Sequence, residues 1–246
     1  MEVLDVYKGM TKGCIYYSDG RLDPNMLRVC QKQLREAFDG EIVSVTLVPM
    51  DFGRNIVLEN RVRSYPTMIE QILTALEAST SDIVFFTEHD VLYHPSHFEI
   101  EPEHRDKFYY NCNNWRWRWE TEVAVTYNYL TSLSMLCCNR DLAIEHYKLR
   151  MKHIEAMGMD AHRGREPRWA RRWGYEPGTK PIRRGGFSDE EHIKWWSEFP
   201  NIDIRHKGTF SHPKTFLEEF KHKPTESWKE INIYDIPGWN LKELFK

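Results

Sequence analysis

Asp82-Ile83-Val84-Phe85-Phe86-Thr87-Glu88-His89-Asp90-Val91-Leu92 is the stretch on which the reading of the fold turns. Ile83 to Phe86 is an unbroken apolar run between polar residues, the pattern of a strand buried on both faces of a parallel sheet. Upstream, Ser64 to Ala78 carries Met68, Ile69, Ile72, Leu73 and Leu76 at helical spacing, and Glu41 to Val48 is rich in β-branched residues. Pro49 to about Asn60 reads as a loop. Asp23-Pro24 opens an earlier helix, with Asp as N-cap and Pro at the first helical position, and Leu27, Cys30, Leu34 and Phe38 mark its inner side. Cys14 to Tyr17 is a first short strand, stopped by Ser18-Asp19-Gly20. The order β-α-β-α-β predicts right-handed crossovers and a Rossmann-like half.

The remaining features narrow the class. The chain has 246 residues with 41% hydrophobic and 29% charged, enough apolar matter for a sizeable core. A net charge of −3 argues against an all-over polycation that coats nucleic acid or membrane. No apolar stretch approaches the length of a membrane span, and the first residues lack a signal-peptide pattern, so a soluble cytoplasmic protein is expected. Five cysteines without a CxxC indicate neither a zinc ribbon nor a disulfide framework.

Ligands of open α/β sheets bind outside the carboxyl ends of the strands. An apolar strand that ends in Glu88-His89-Asp90 delivers two carboxylates there, and continued alternation would put both on one side, able to share a divalent cation or a cation and a ribose. With the β-α order before it, this acid-x-acid switch resembles the GT-A nucleotide-sugar glycosyltransferases, broadly of the family 2 type. The resemblance covers about residues 12 to 100, and 186 to 212 more loosely. It implies a GT-A-like Rossmann-type α/β fold, a mostly parallel sheet flanked by helices, with an irregular C-terminal acceptor half. It further implies Mn²⁺ or Mg²⁺ held against a donor diphosphate, with Asp90 on the metal and Glu88 on ribose or a metal-bound water. Tyr17 and Asp19 fall where the family binds base and ribose, and Arg63 falls among its donor-contacting residues. The family also supplies a late histidine ligand. His206, ending the alternating run Ile202-Asp203-Ile204-Arg205, is the favoured match and His212 the competitor.

Inverting members place a carboxylate base upstream of that histidine, so Asp189 or Glu190 is the candidate. Ser188 and Glu191 equally fit a capping box for a short helix from Asp189 to Glu198. His89, His94 and His97 crowd one turn and permit a rival reading as a metal-dependent hydrolase, although packing and solvent account for most such histidines. Asn113 to Trp119 alternates three indoles with two arginines, which fits either a half-buried strand or an aromatic platform. Arg163 to Arg184 holds eight basic residues against two acids, interleaved with Trp169, Trp173 and Tyr175. It fits a solvated loop, a lid over the diphosphate, or an arm for nucleic acid.

The sequence is thus expected to form a nucleotide-sugar-binding half over residues 1–107 and an acceptor-binding half with tail over 108–246, in one continuous domain. The expected activity is metal-dependent glycosyl transfer from a nucleoside-diphosphate sugar to a hydroxyl acceptor. The alternatives are the hydrolase and a nucleic-acid-binding module, with nucleic acid also conceivable as the acceptor.

Overall fold

The computed structural model describes residues 9–127, 131–157, 191–209 and 227–245. The expected α/β architecture, a mostly parallel sheet flanked by helices, is the one the chain adopts. Strand β1 (Lys12–Ser18) lies between β2 (Glu41–Thr46) and β4 (Ile83–Glu88), parallel to both, and β3 (Arg54–Val57) adds a parallel edge beyond β2. On the other side, β9 (Leu136–Asn139) runs antiparallel between β4 and β6 (Phe108–Asn111), and β10 (His192–Trp195) lies parallel to β6. The order of this seven-stranded sheet is β10-β6-β9-β4-β1-β2-β3.

Both early helices start where their caps predict. Asp23 accepts from the Asn25 and Met26 amides ahead of α1 (Pro24–Ala37), and Ser64 accepts from the Thr67 amide ahead of α2 (Tyr65–Ala78). Such caps contribute about 1 kcal/mol each. Ile15, Val43, Val84 and Phe86 face α2 and α3 (Arg140–Met157), while Cys14, Tyr16, Phe85 and Phe52 face the end of α1 through Leu34 and Phe38. Phe85 and Phe86 are fully buried on opposite faces, each contributing about 1.5–3 kcal/mol. All five cysteines are free and buried.

The described part of the second half is more regular than expected. A five-stranded sheet, β12-β8-β7-β11-β5, joins β5 (Val91–Leu92), β7 (Asn114–Arg118), β8 (Val123–Thr126), β11 (Asn201–Arg205) and β12 (Lys229–Asn232). Trp115, Trp117, Ile202 and Ile204 pack from it onto Met26, Val29 and Cys30 of α1. Two indoles of the Asn113–Trp119 run are therefore core residues and not a platform. Trp239 donates its indole N–H to the Pro200 carbonyl at 2.7 Å, and Leu241 of the one-turn α4 (Leu241–Leu244) is buried in the same core.

Two local expectations are corrected. The loop expected after Pro49 contains β3, kept in register by Asn55, whose amide donates to the Ser44 and Thr46 hydroxyls at 2.9 Å. The helix expected to reach Glu198 is a strand over His192–Trp195, because the open edge of β6 offers a parallel partner. Among the described residues no helix is long and apolar enough to cross a membrane.

Candidate functional site

β1 and β4 end level with each other, Tyr17 opposite Glu88, so their last side chains share the carboxyl edge of the sheet. The Tyr17 hydroxyl donates to Glu88 Oε1 at 2.6 Å. Buried Gln71 of α2 donates to the Ser18 and Val45 carbonyls at 2.8 and 2.9 Å, holding the ends of β1 and β2 in place. Gly20 then turns the chain away with φ of 74°, a backbone state that excludes most side chains.

β4 stops at Glu88, and the backbone turns through His89 and Asp90 into β5. The strand alternation expected to align the two acids therefore ends between them. What the turn gathers instead is His89, Asp90 and His206, whose ligand atoms lie within 4.8 Å of one another. Among the described residues this is the one such group of metal-ligating side chains. Its third member comes from the residue after β11, which β5 brings alongside: Val91 pairs with Asp203, and the Ile204 amide donates to the Asp90 carbonyl at 2.8 Å. His206 Nε2 approaches Asp90 Oδ2 at 3.3 Å.

The histidine rings are oriented from behind. His89 Nδ1 lies 2.5 Å from Ser18 Oγ, which also accepts from the Gly20 amide at 3.0 Å. With Nδ1–H donated to that hydroxyl, the Nε2 lone pair is left to a cation. His206 Nδ1 accepts from the Gly208 amide at 3.1 Å, so the neutral ring carries its proton on Nε2 and donates it to Asp90. With the His206 proton moved from Nε2 to Nδ1, two imidazoles and a carboxylate would fit a divalent transition ion.

Burial pushes the Asp90 carboxyl up, but the His206 hydrogen bond and the electrostatic pull of His89, Arg205 and His206 outweigh it and hold Asp90 below the ordinary carboxylate range. Burial and the adjacent Asp90 charge push Glu88 up to about 8, against the pull of the Tyr17 hydroxyl. The two carboxyls are thus pushed in opposite directions, an arrangement common at functional sites.

At the rim, Arg63 Nε pairs with Asp19 Oδ2 at 2.5 Å, and Arg63 Nη2 donates to the Gly208 carbonyl at 2.6 Å. Gly208 therefore touches both His206 and Arg63. A Cβ there would lie 3.0 Å from His206 Cε1 and 3.1 Å from Nδ1, closer than ordinary contact. Gly208→Ala is expected to turn the imidazole and weaken any divalent-cation binding by roughly tenfold, the scale on which ligand orientation counts, with little change in Tm. Isothermal titration with Mn²⁺ checks this; an unchanged affinity removes the turn from the site.

The chain thus brings Tyr17, Asp19, Arg63, Glu88, Asp90 and His206 to one edge of the sheet. His89 joins them, although the sequence assigned it to packing and solvent. His97 is fully buried, its imidazole pushed down to about 3 by that burial, and His94 caps a short turn by accepting from the Ser96 amide. Asp189, Glu190, His212 and the basic run from Arg163 to Arg184 lie outside the described residues. A cavity of about 1540 Å³ opens at the opposite end of the sheet, near the starts of β1 and β2. Glu36, Asp39, Glu99, Glu101 and Glu103 line it, and such a wall repels phosphates.

No protein-family model and no curated protein matches the chain. Solved structures match it in part. Glycosyltransferase GlyE of Streptococcus pneumoniae is 9% identical over 76% of this chain and 45% of its own, with a TM-score of 0.42. Glucosyl-3-phosphoglycerate synthase of Mycobacterium tuberculosis, solved with Mn²⁺, uridine diphosphate and glucosyl-3-phosphoglycerate, is 14% identical over 62% and 68%, with a TM-score of 0.35. The bifunctional IspDF of Campylobacter jejuni is 11% identical over 60% and 47%, with a TM-score of 0.34. The match spans about half the length of GlyE and of IspDF. The similarity to all three is one of architecture.

Proposed function

We propose that this chain transfers a sugar from a nucleoside-diphosphate donor to a hydroxyl acceptor with the help of a divalent cation. The observation that carries this reading is the meeting of His89 and Asp90, just past a buried parallel strand, with His206 beyond β11, at the ligand edge of the sheet. In this reading the three side chains hold the ion, and their nitrogen content favours Mn²⁺ over Mg²⁺, which prefers oxygen ligands. When bound, the ion supplies Lewis-acid stabilisation of the charge on the departing diphosphate.

The protein's own groups do the rest. Glu88, held by Tyr17 through one oxygen, turns the other to the ribose. Asp19 and Arg63, paired at the rim, flank the base. Asp189 or Glu190 takes the proton of the acceptor hydroxyl as it attacks, if the outcome is inversion. Residues 1–107, joined by β7, β11 and His206, serve the donor, and the remainder of 108–246 serves the acceptor.

A thermal-shift panel of UDP-, GDP- and CDP-sugars with and without Mn²⁺ tests the assignment. One nucleotide is expected to raise Tm only when Mn²⁺ is present, by on the order of 5 °C at a hundredfold excess over Kd. Stabilisation by Mn²⁺ that no nucleotide enhances would move the metal centre to the hydrolase reading. Stabilisation by an oligonucleotide alone would favour the nucleic-acid-binding module.

A further inference from the structure

The small sheet has two unlike faces. β7 and β11 run parallel with Asn114 opposite Asn201, Arg116 opposite Asp203 and Arg118 opposite Arg205. The residues between them, Trp115, Trp117, Ile202 and Ile204, enter the core, so the alternate positions form a polar face on the other side. Apart from Arg118, that face is largely buried. Asn114 is fully enclosed and Asp203 is 1% exposed, while Arg116 and Arg205 keep about a tenth of their side chains at the surface, 11% and 12%.

Its polar groups are incompletely matched. Arg205 Nη2 meets Asp203 Oδ2 at 2.9 Å, Arg116 Nε stands 3.9 Å from the same oxygen, and Arg116 Nη1 donates to the Tyr127 hydroxyl at 2.8 Å. Among the described residues, Asp203 Oδ1, Arg116 Nε, Arg205 Nε and both amide atoms of Asn114 find no hydrogen-bond partner, although all are enclosed. Unpaired buried groups are rare in native proteins because each forfeits its hydration, so five in one place call for something that supplies both donors and acceptors. A phosphate supplies acceptors only and would leave Asp203 Oδ1 and the Asn114 oxygen without a donor. Neighbouring hydroxyls of a pyranose supply both. The location agrees, since Asp203 pairs with Val91, the residue after Asp90.

We infer that Asp203, with Asn114, Arg116 and Arg205, is the subsite that reads the hydroxyls of the transferred sugar and so decides which sugar is accepted. This rests on the nucleotide-sugar reading above and adds its specificity-determining residues. Asp203 accepts from one hydroxyl, the guanidiniums donate to its neighbour, and the Asn114 amide pairs with either.

The test compares bare UDP, GDP and CDP with their glucose, galactose and N-acetylglucosamine conjugates, by isothermal titration in Mn²⁺, on wild type, Asp203→Asn and Asn114→Ala. Wild type is expected to bind one nucleotide and to bind one of its sugar conjugates more tightly. Asp203→Asn should reduce that sugar-dependent gain by roughly ten- to a hundredfold, the worth of a hydrogen bond to a charged group, with bare-nucleotide affinity within about twofold. Asn114→Ala removes no charge from between the arginines, so it carries the test if Asp203→Asn does not fold, and should lower the gain by about tenfold. A sugar-dependent gain that survives both substitutions, or is absent from wild type, overturns the subsite and leaves the nucleotide reading standing. An equal loss for bare and conjugated nucleotide also overturns it, because that marks a structural role. Failure of every nucleotide to bind wild type overturns both.

Discussion

Asp90→Asn is expected to weaken Mn²⁺ binding by more than about a hundredfold and to abolish Mn²⁺-dependent nucleotide binding, while Tm moves by only a few degrees. The loss follows from the geometry, since Asp90 contributes the carboxylate of a group whose other ligands are two imidazoles. Removal of outer-shell partners alone costs ten- to a hundredfold, so a direct ligand should cost more. The fold should survive because two effects oppose. The Asp90 carboxyl is held below its ordinary range, so its charge adds stability above the unfolded value of about 3.8 that the variant forfeits. The same charge pushes the Glu88 and Asp203 carboxyls up, and its removal relieves both. The Asp90 carbonyl, which accepts from the Ile204 amide, is untouched. Mn²⁺ titration followed by electron paramagnetic resonance measures the first effect and calorimetry the second. Wild-type affinity in the variant would sink the metal assignment.

Glu88→Gln is expected to stabilise the chain in the presence of a chelator, by an amount that grows with pH. Burial and the Asp90 charge raise the Glu88 carboxyl to about 8, against 4.5 in an unfolded chain. A group raised on folding contributes stability that is whole below the unfolded value and is lost as pH rises through the folded one. Wild type therefore declines from about pH 5 to about pH 8, whereas the amide, neutral throughout and still able to accept from Tyr17, does not share that decline. The Tm difference should be near zero at pH 5 and on the order of 5 °C at pH 8 or above. Scanning calorimetry at pH 5, 7 and 9 checks the slope; a pH-independent difference would mean that Glu88 is ionised throughout.

Much of the first half was legible because its signals are local. An apolar run such as Ile83–Phe86 stays buried whatever surrounds it, and Asp23-Pro24 and Ser64 mark helix starts through contacts within three residues. Strands that exist only by virtue of a neighbour were not legible. Arg54–Val57 is a four-residue edge held by Asn55, Leu136–Asn139 pairs with two strands distant in sequence, and His192–Trp195 reads as helix until the edge of β6 is known. The candidate site divides in the same way. Asp90 announces itself by following a buried strand, and His206 by ending an alternating one. His89 was passed over because its partnership depends on a residue 116 positions beyond Asp90. The polar face of β7 and β11 did leave a trace: Asn114, Arg116, Asp203 and Arg205 alternate with residues that are plainly core.

Gly208 joins two events that would otherwise be separate. Its N–H rests on His206 Nδ1, and its carbonyl receives Arg63, which in turn grips Asp19. An ion held by His206 Nε2 would need the ring proton on Nδ1, where it would face that N–H, so the turn and Arg63 would have to adjust together. In the proposed function, ion and nucleotide would then be coupled through a single peptide unit. By reciprocity, whatever factor the ion lends to the nucleotide's affinity the nucleotide returns to the ion's, whichever arrives first.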